Sequence, residues 1–557
     1  MKLLCFGAAC LLAGGELAMA QAPRYRILII DPPSGFTHTE GLGLNEAGAI
    51  VGRYSNAAIP DHSSNRAFVW LLNAAFGQSA KTLIDLNNLT GDSSSTRSIA
   101  RDINTGGQIA GERKASTSET HAAVWDIADS TPFFDDLGTF TSLTSGKFAV
   151  SRAFRINDDD PPLVVGISGA TVCENPCPCP GCESCVSPLF LPQTLFRGFR
   201  KQFDGTDLDP DTDMLFPLLS EDGYTGAFGV NNGGRAVGQS HPCPSQGEVL
   251  VCDSKQDAGQ WQNSSAGNLL VAEFDCTVGA QFIETQHQAL GINDADNIVG
   301  SGFETIECDP ECSSDCEGGT CVQRAMFWED PGSTTTPFVL GTIDTGVVPF
   351  DNQSRAEAIN NPLESDNCVQ VVGADIDDGF GLLWERDVDG DWTVEKLDDM
   401  VWECSGLTGI IINGQDINDK GWIVGTMNLT PGGAATLRAV LLVCLADLNA
   451  SGTVDGIDLG IMLANWSDPP SEPGCGGVTP CDPDLNCDGF VNGIDLGILL
   501  ANWGDGGCRP DCPVEEEMSG FSAEDVLTPS VLSYIEALIA EDEIEAAVEF
   551  LETLMGS

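Results

Sequence analysis

Basic residues are scarce in this chain. Its 557 residues contain 25 Lys and Arg against 83 Asp and Glu, a formal charge of −58. Such a surface repels phosphate backbones and excludes nucleic acid as a partner, while favouring cations. Histidine is scarcer still, with five residues, His38, His62, His121, His241 and His287. None forms an H-E-x-x-H pair, so that metalloprotease signature is absent. There is no G-x-S-x-G nucleophile elbow, and the Ser-x-Asp-x-Gly-x-Thr-Trp box of sialidase-like chains does not occur. No segment reaches the ~20 apolar residues that a membrane-spanning helix needs.

What is present begins with a leader. Lys2 is followed by an apolar run from Leu3 to Ala13, and Ala18-Met19-Ala20 offers a cleavage site before Gln21. Residues 1–20 read as a secretory signal, and the mature chain is expected outside the cell, secreted or attached to the cell surface. Of 22 cysteines, Cys5 and Cys10 lie in the leader, which leaves 20. An even number in an exported chain predicts disulfides. Cys173 to Cys185 and Cys308 to Cys321 are dense clusters. Their C-x2-C and C-x3-C spacings can hold zinc, but export favours disulfide-stapled loops on the rim of the fold.

A short phrase recurs seven times: an apolar residue, Asn, turn residues with Gly or Asp, then an apolar run ending in Gly. Its asparagines are Asn45, Asn104, Asn157, Asn231, Asn293, Asn360 and Asn418. Turns three and six are altered. The phrase predicts a β-hairpin in which Asn caps the turn and Gly takes a positive φ. A second phrase often follows, a strand closing on Trp, as in Arg66-Ala67-Phe68-Val69-Trp70 and His121-Ala122-Ala123-Val124-Trp125. A third, Leu-Gly-Thr, occurs at Leu137 and Leu340. Units of 53 to 74 residues suit four short strands plus loops. Seven of them predict a seven-bladed β-propeller over residues 21–443, because ring closure removes exposed sheet edges. A pair of β-sandwiches or an open β-solenoid are the other all-β arrangements that the pattern allows. The phrases resemble the HAF family of extracellular repeats over roughly residues 25–443.

Residues 444–512 differ in kind. Two twelve-residue loops, 447–458 and 484–495, place oxygen-bearing side chains at positions 1, 3, 5, 9 and 12 and glycine at position 6. Loop one offers Asp447, Asn449, Ser451, Asp455 and Asp458, and loop two Asp484, Asn486, Asp488, Asn492 and Asp495. Thr453 and Phe490, at position 7, supply backbone carbonyls. Hard oxygen ligands around a sharp glycine turn are the chemistry of calcium, so two calcium ions are expected. Val454 and Val491, at position 8, are expected to pair the loops. Apolar stripes follow at Leu459, Met462, Leu463 and Trp466, and at Leu496, Leu499, Leu500 and Trp503, each predicting a helix. Cys444 and Cys508 are expected to pair, because the ends of a two-fold loop-helix pair lie close together. The module resembles a type I dockerin with EF-hand-like calcium loops, which implies a cohesin-like partner. Positions 10 and 11, where that family often has a Ser-Thr pair used in cohesin recognition, hold Gly456-Ile457 and Gly493-Ile494. Residues 513–557 form an acidic tail with helical apolar spacing.

The expected fold is therefore mainly β: a seven-bladed β-propeller, a small α-helical dockerin-like pair and an acidic helical tail. Two functions follow. The first is a secreted non-catalytic binding and assembly protein with a calcium-dependent docking module, the ring binding an extracellular glycan. The second is a carbohydrate-active enzyme, a glycoside hydrolase or polysaccharide lyase in polysaccharide catabolism, with its catalytic site in the ring. Convergence of two or three carboxylates with an Arg or His at the mouth of a central channel would favour the enzyme.

Overall fold

The computed structural model describes residues 24–508 with interruptions, the longest at 173–192, 467–482 and 307–319. The leader, both cysteine clusters apart from the backbone of Cys321, Asp488 and the 513–557 tail lie outside the described residues. The chain is mainly β, built of many antiparallel sheets. Each repeat phrase opens a unit of successive, mutually paired strands. In the Asn45 unit these are His38–Leu44, Ala49–Ser55, Arg66–Leu71 and Leu83–Asp85. The Asn360 unit repeats the order with Ser354–Ile359, Gln370–Asp375, Phe380–Arg386 and Trp392–Lys396. The Asn104 and Asn157 units join in one seven-stranded sheet through a parallel bridge, Val150 to Thr120.

The sequence gives no hint of how the last unit is completed. Its first three strands are Ile410–Ile417, Ile423–Asn428 and Leu437–Cys444, and its fourth is Tyr25–Ile30 from the start of the chain. Tyr25 lies opposite Cys444, and Ile30 opposite Ala439.

The asparagines do more than cap turns. Each Oδ1 accepts a backbone N–H across its own hairpin at 2.6–3.0 Å, for example from Ala49, Gln108 and Trp422. Each Nδ2 donates to the backbone carbonyl of the next unit's asparagine at 3.0–3.4 Å. The series runs from Asn45 through Asn418 and returns from Asn418 to Asn45, so the seven residues form a closed circle. All are only 2–5% exposed, where an unmade hydrogen bond is costly. Gly48, Gly107, Gly234 and Gly421 take the expected positive φ, while in the Asn293 unit Asp296 does so.

The third strands bind units side to side. The backbone N–H groups of Ala67, Ala122, Ala325 and Ala439 donate to Ser98, Ser151, Ser354 and Thr39 at the start of the next unit's first strand. Apolar cores form between sheets. Val51, Val69 and Leu71 of one unit share a cluster with Ala100, Ile109 and Trp125 of the next.

Every first strand carries a β-bulge three residues before its asparagine. A bulge re-aims successive side chains. The bulged residues, Leu42, Arg101, Phe154, Phe228, Leu290, Glu357 and Gln415, line a chamber at the end away from the asparagines. The residues that follow are Gly43, Asp102, Arg155, Gly229, Gly291, Ala358 and Asp416, and the last six line a second chamber at the asparagine end. A Cβ on Gly43 would meet the Arg101 carbonyl oxygen at 2.6 Å, so glycine there permits close approach of neighbouring first strands.

Candidate functional site

In each loop expected to hold calcium, described residues are tied by hydrogen bonds to the start of the helix that follows. Helices span Gly456–Ala464 and Gly493–Ala501. Their buried stripes, Leu459, Met462 and Leu463 against Leu496, Leu499 and Leu500, share one core with Val454 and Val491. Asp455 and Asp458 form a capping box on the first helix, and Asn492 and Asp495 on the second. In loop one the Asp458 carboxylate accepts from the Asn449 and Asp455 N–H groups at 3.0 and 2.8 Å. Loop two repeats both bonds and distances with Asp495, Asn486 and Asn492. Asp447 accepts from Ser451 and Gly452, and Asp484 from Gly489. The Ser451 hydroxyl lies 3.1 Å from the Thr453 carbonyl oxygen, which puts the oxygens of positions 5 and 7 side by side. The strand at Thr453–Val454 pairs with Gly504–Asp505, beyond the second helix, and Val454 and Val491 lie in one core cluster.

Two carboxylates of loop one bury with little exposure, Asp447 at 1% and Asp458 at 0%. Burial pushes the Asp447 carboxyl up, backbone N–H groups oppose this, and nearby Asp458 adds to it. Carboxylate oxygens retain further lone pairs after accepting one N–H each. The donor set of buried Asp with Asn, Ser and a carbonyl therefore fits a hard cation such as calcium. Among the described residues no group of three or more His, Cys, Asp or Glu gathers as for a metal, and the loop's donors are mixed with amide, hydroxyl and carbonyl oxygens.

The module is fixed to the repeat units. Cys444, in the last strand of the Asn418 unit, is disulfide-bonded to Cys508 beyond the second helix, as expected. Both sit in the same core cluster as Tyr25, Trp422 and Ala450. Arg26 donates to the Asp447 carbonyl at 2.9 Å, and the Leu445 N–H to the Arg24 carbonyl. Gln370 donates to the Cys508 carbonyl at 2.8 Å and to Glu385 at 2.7 Å, while accepting from Asn360 of the circle. Glu385 in turn holds Arg24 through two bonds, at 2.9 and 2.6 Å.

Sequence reasoning missed a second constellation. The asparagine-end chamber, about 250 Å³, holds Asp102, Arg155 and Asp416. Arg155 lies 3.4 Å from Asp102 and 3.0 Å from Asp416. Asp102 also accepts from the Ile156 N–H at 2.8 Å, and Asp416 from the Leu44 N–H at 3.0 Å, each in the following unit. Burial pushes the Asp102 carboxyl up to about 6, against the pull of Arg155 and with help from Asp416. Burial raises Asp416 as well. At the position two before the asparagine, the opposite wall carries Gly229, Gly291 and Ala358, so at that level charge occupies one side only. The signal was legible in principle: the position two before Asn is small in four units and charged in three.

No protein-family model matches the chain, and no curated protein matches it. Solved structures align at low similarity. A Trypanosoma rangeli sialidase shares 9% identity over 75% of this chain and 57% of its own, with a TM-score of 0.31. A post-proline cleaving enzyme from Rickettsia typhi shares 9% over 74% and 50%, at 0.34. The PQQ-bound aldose sugar dehydrogenase of Streptomyces coelicolor shares 10% over 76% and 100%, at 0.26. The chain thus spans little more than half the sialidase's length. Among the described residues no helix is long and apolar enough to cross a membrane.

Proposed function

We propose that this is a secreted binding and assembly protein. In this reading residues 21–443 form a seven-bladed β-propeller of HAF-type repeats, and residues 444–512 a dockerin-like module that holds two calcium ions and docks a cohesin-like partner. The closed asparagine circle, with the first strand of the chain completing the last unit, supports the propeller. The disulfide supports an oxidising, extracellular compartment.

The observation that carries the docking function is at the helix starts. Ile457 and Ile494 are 61% and 59% exposed, at equivalent positions of the two loop-helix units. Large apolar side chains held in water by capped helices suit a partner surface. Calcium in each loop would neutralise carboxylates that otherwise repel one another: Asp447, Asp455 and Asp458 with Asn449, Ser451 and the Thr453 carbonyl, and Asp484, Asp488 and Asp495 with Asn486, Asn492 and the Phe490 carbonyl.

The test uses the full mature chain, since Ala450 and Cys508 belong to the core of the last repeat unit. Calorimetric titration with calcium should show two sites, lost in an Asp458→Asn/Asp495→Asn double variant. Cohesin domains should be captured in calcium but not in EDTA, and Ile457→Asp/Ile494→Asp should abolish capture while calcium binding persists. Absence of calcium heat would refute the module's role.

A second reading keeps the enzyme, because Asp102 and Asp416 do converge on Arg155 in the channel. A carboxyl titrating near 6 is suited to general acid work on a glycosidic bond. Each of these carboxylates is also bonded to the next unit's backbone, which accounts for it as an inter-unit clamp. Release of reducing ends from an acidic polysaccharide, abolished by Asp102→Asn, would establish the enzyme instead.

A further inference from the structure

The chamber away from the asparagines reverses the chemistry of the chain. In a protein of 25 basic and 83 acidic residues, this cavity of about 340 Å³ is lined by Arg101, Arg155 and Arg355 against a single carboxylate, Glu357. Arg155 is taken up by Asp102 and Asp416. Arg101 is not comparably neutralised. Its nearest anion, Glu112, lies 3.5 Å away and is shared with Arg97 at 3.0 Å and Arg152 at 2.9 Å. Three guanidinium groups thus share that one carboxylate. Burial would raise the Glu112 carboxyl, but Arg101, Arg152 and Arg97 together hold it below the usual range. The Arg101 guanidinium lies over the Phe154 ring at 4.9 Å, and Phe228 meets Phe154 edge-on at 5.2 Å.

A planar fork of donors matches a carboxylate, and aromatic rings supply an apolar wall for the body that bears it. The volume is at the lower end of the roughly 300–1,000 Å³ typical of ligand pockets, which suits one sugar ring. We infer that this chamber binds a single hexuronate residue of an acidic polysaccharide, its carboxylate on Arg101 and Arg355 and its ring against Phe154 and Phe228. Glu357 is the internal competitor, since it holds Arg355 through the Nε at 2.6 Å. The overall charge opposes approach of a polyanion, but beyond a Debye length of about 8–10 Å that repulsion is screened, and local contacts decide. The inference rests on the ring proposed above and names the ligand class of its channel.

The experiment titrates the full mature chain with D-galacturonate, D-galactose and acetate, by calorimetry or ligand-observed NMR. Galacturonate should bind at least tenfold more tightly than either of the others. Arg101→Gln should weaken it at least tenfold. Glu357→Gln should tighten it several-fold by releasing Arg355, a gain that a misfolded variant does not produce. Equal binding of galactose would show that the carboxylate is not read, and equal binding of acetate that the sugar is not. No galacturonate binding, or Glu357→Gln without gain, would overturn the proposal. Calcium-dependent partner capture is measured on the same samples and is unaffected by Arg101→Gln, so loss of the uronate site leaves the docking reading intact and separately testable.

Discussion

The two chambers are built by the same seven strands on opposite rules. At one end every unit supplies the same residue, an asparagine that bonds its own hairpin and the next unit's backbone. At the other, the bulged position differs in most units, from Leu42 to Arg101 to Glu357. The repeat makes the scaffold, and departures from it make the chemistry. The position between the two ends shows both at once, because it is small where nothing is needed and charged at Asp102, Arg155 and Asp416.

Breaking the shared end should cost most. Asn293→Ala removes an acceptor for the part-buried Asn297 N–H and a donor to the buried Asn360 carbonyl. Two unsatisfied backbone groups predict a loss of about 2–5 kcal/mol. Chemical denaturation should show a lowered midpoint with an unchanged slope, whereas substitutions at the varied bulge, such as Leu290→Met, should stay below about 1.5 kcal/mol. Equal losses at both positions would dissolve the distinction.

The disulfide comes next, because it ties the module to the seam where the chain's first strand meets its last unit. Cys444 and Cys508 are 64 residues apart. Replacing both with serine should cost about 2–4 kcal/mol. Protease cleavage should then begin in residues 445–508 before the repeats are attacked, and a variant cleaved as slowly as the parent would show that the non-covalent contacts of Arg26 and Gln370 suffice.

How much of this was legible beforehand follows from the range of each interaction. The hairpins, the asparagine caps, the calcium loops and the helix stripes depend on residues a few positions apart, so spacing exposes them. The donation from Asn45 to Asn104 and the pairing of Tyr25 with Cys444 join residues that only closure brings together. Nothing in the local pattern marks Ser98 and Ser151, because their partners, the Ala67 and Ala122 N–H groups, belong to the preceding unit. For the same reason spacing does not reveal that Gln370 links Asn360 to the Cys508 carbonyl.

The mid-channel clamp gives a pH signature. Asp102 holds its proton to about 6 when folded, against an ordinary value of 3.8. Folding therefore takes up a proton between those values, and this group's contribution to stability falls as pH rises from about 4 to 6, then stays level. Asp102→Asn does not titrate. Relative to the parent, its stability should improve across that window by at most about 3 kcal/mol, less where Asp416 shares the proton. Unfolding midpoints at pH 4, 5, 6 and 7 measure the difference, and a constant offset would mean that Asp102 is ionised throughout.

The smallest effect is expected one residue from the largest. One residue after the asparagines runs a second series of inter-unit bonds of similar length. Asp294 accepts from the Asn232 N–H at 2.8 Å, and its own N–H donates to Asn361 at 2.7 Å. Six of the seven steps of this outer series are formed, from Thr105 to Asp158 round to Asp419 and Glu46. By geometry alone it should hold the units as firmly as the asparagines do. Asp294 is exposed, however, whereas Asn293 is 4% exposed. Water replaces an exposed partner at little cost, and salt screens the carboxylates gathered there, so Asp294→Ala should change stability by no more than about 0.5–1 kcal/mol. Removing one of the acidic residues Glu46, Asp158, Asp294 and Asp419 also relieves mutual repulsion, which offsets part of the lost bond. The adjacent substitutions Asn293→Ala and Asp294→Ala, melted side by side, separate burial from geometry: comparable losses would mean that the outer circle shares the work of closure, and a several-fold difference that burial alone assigns it to the asparagines.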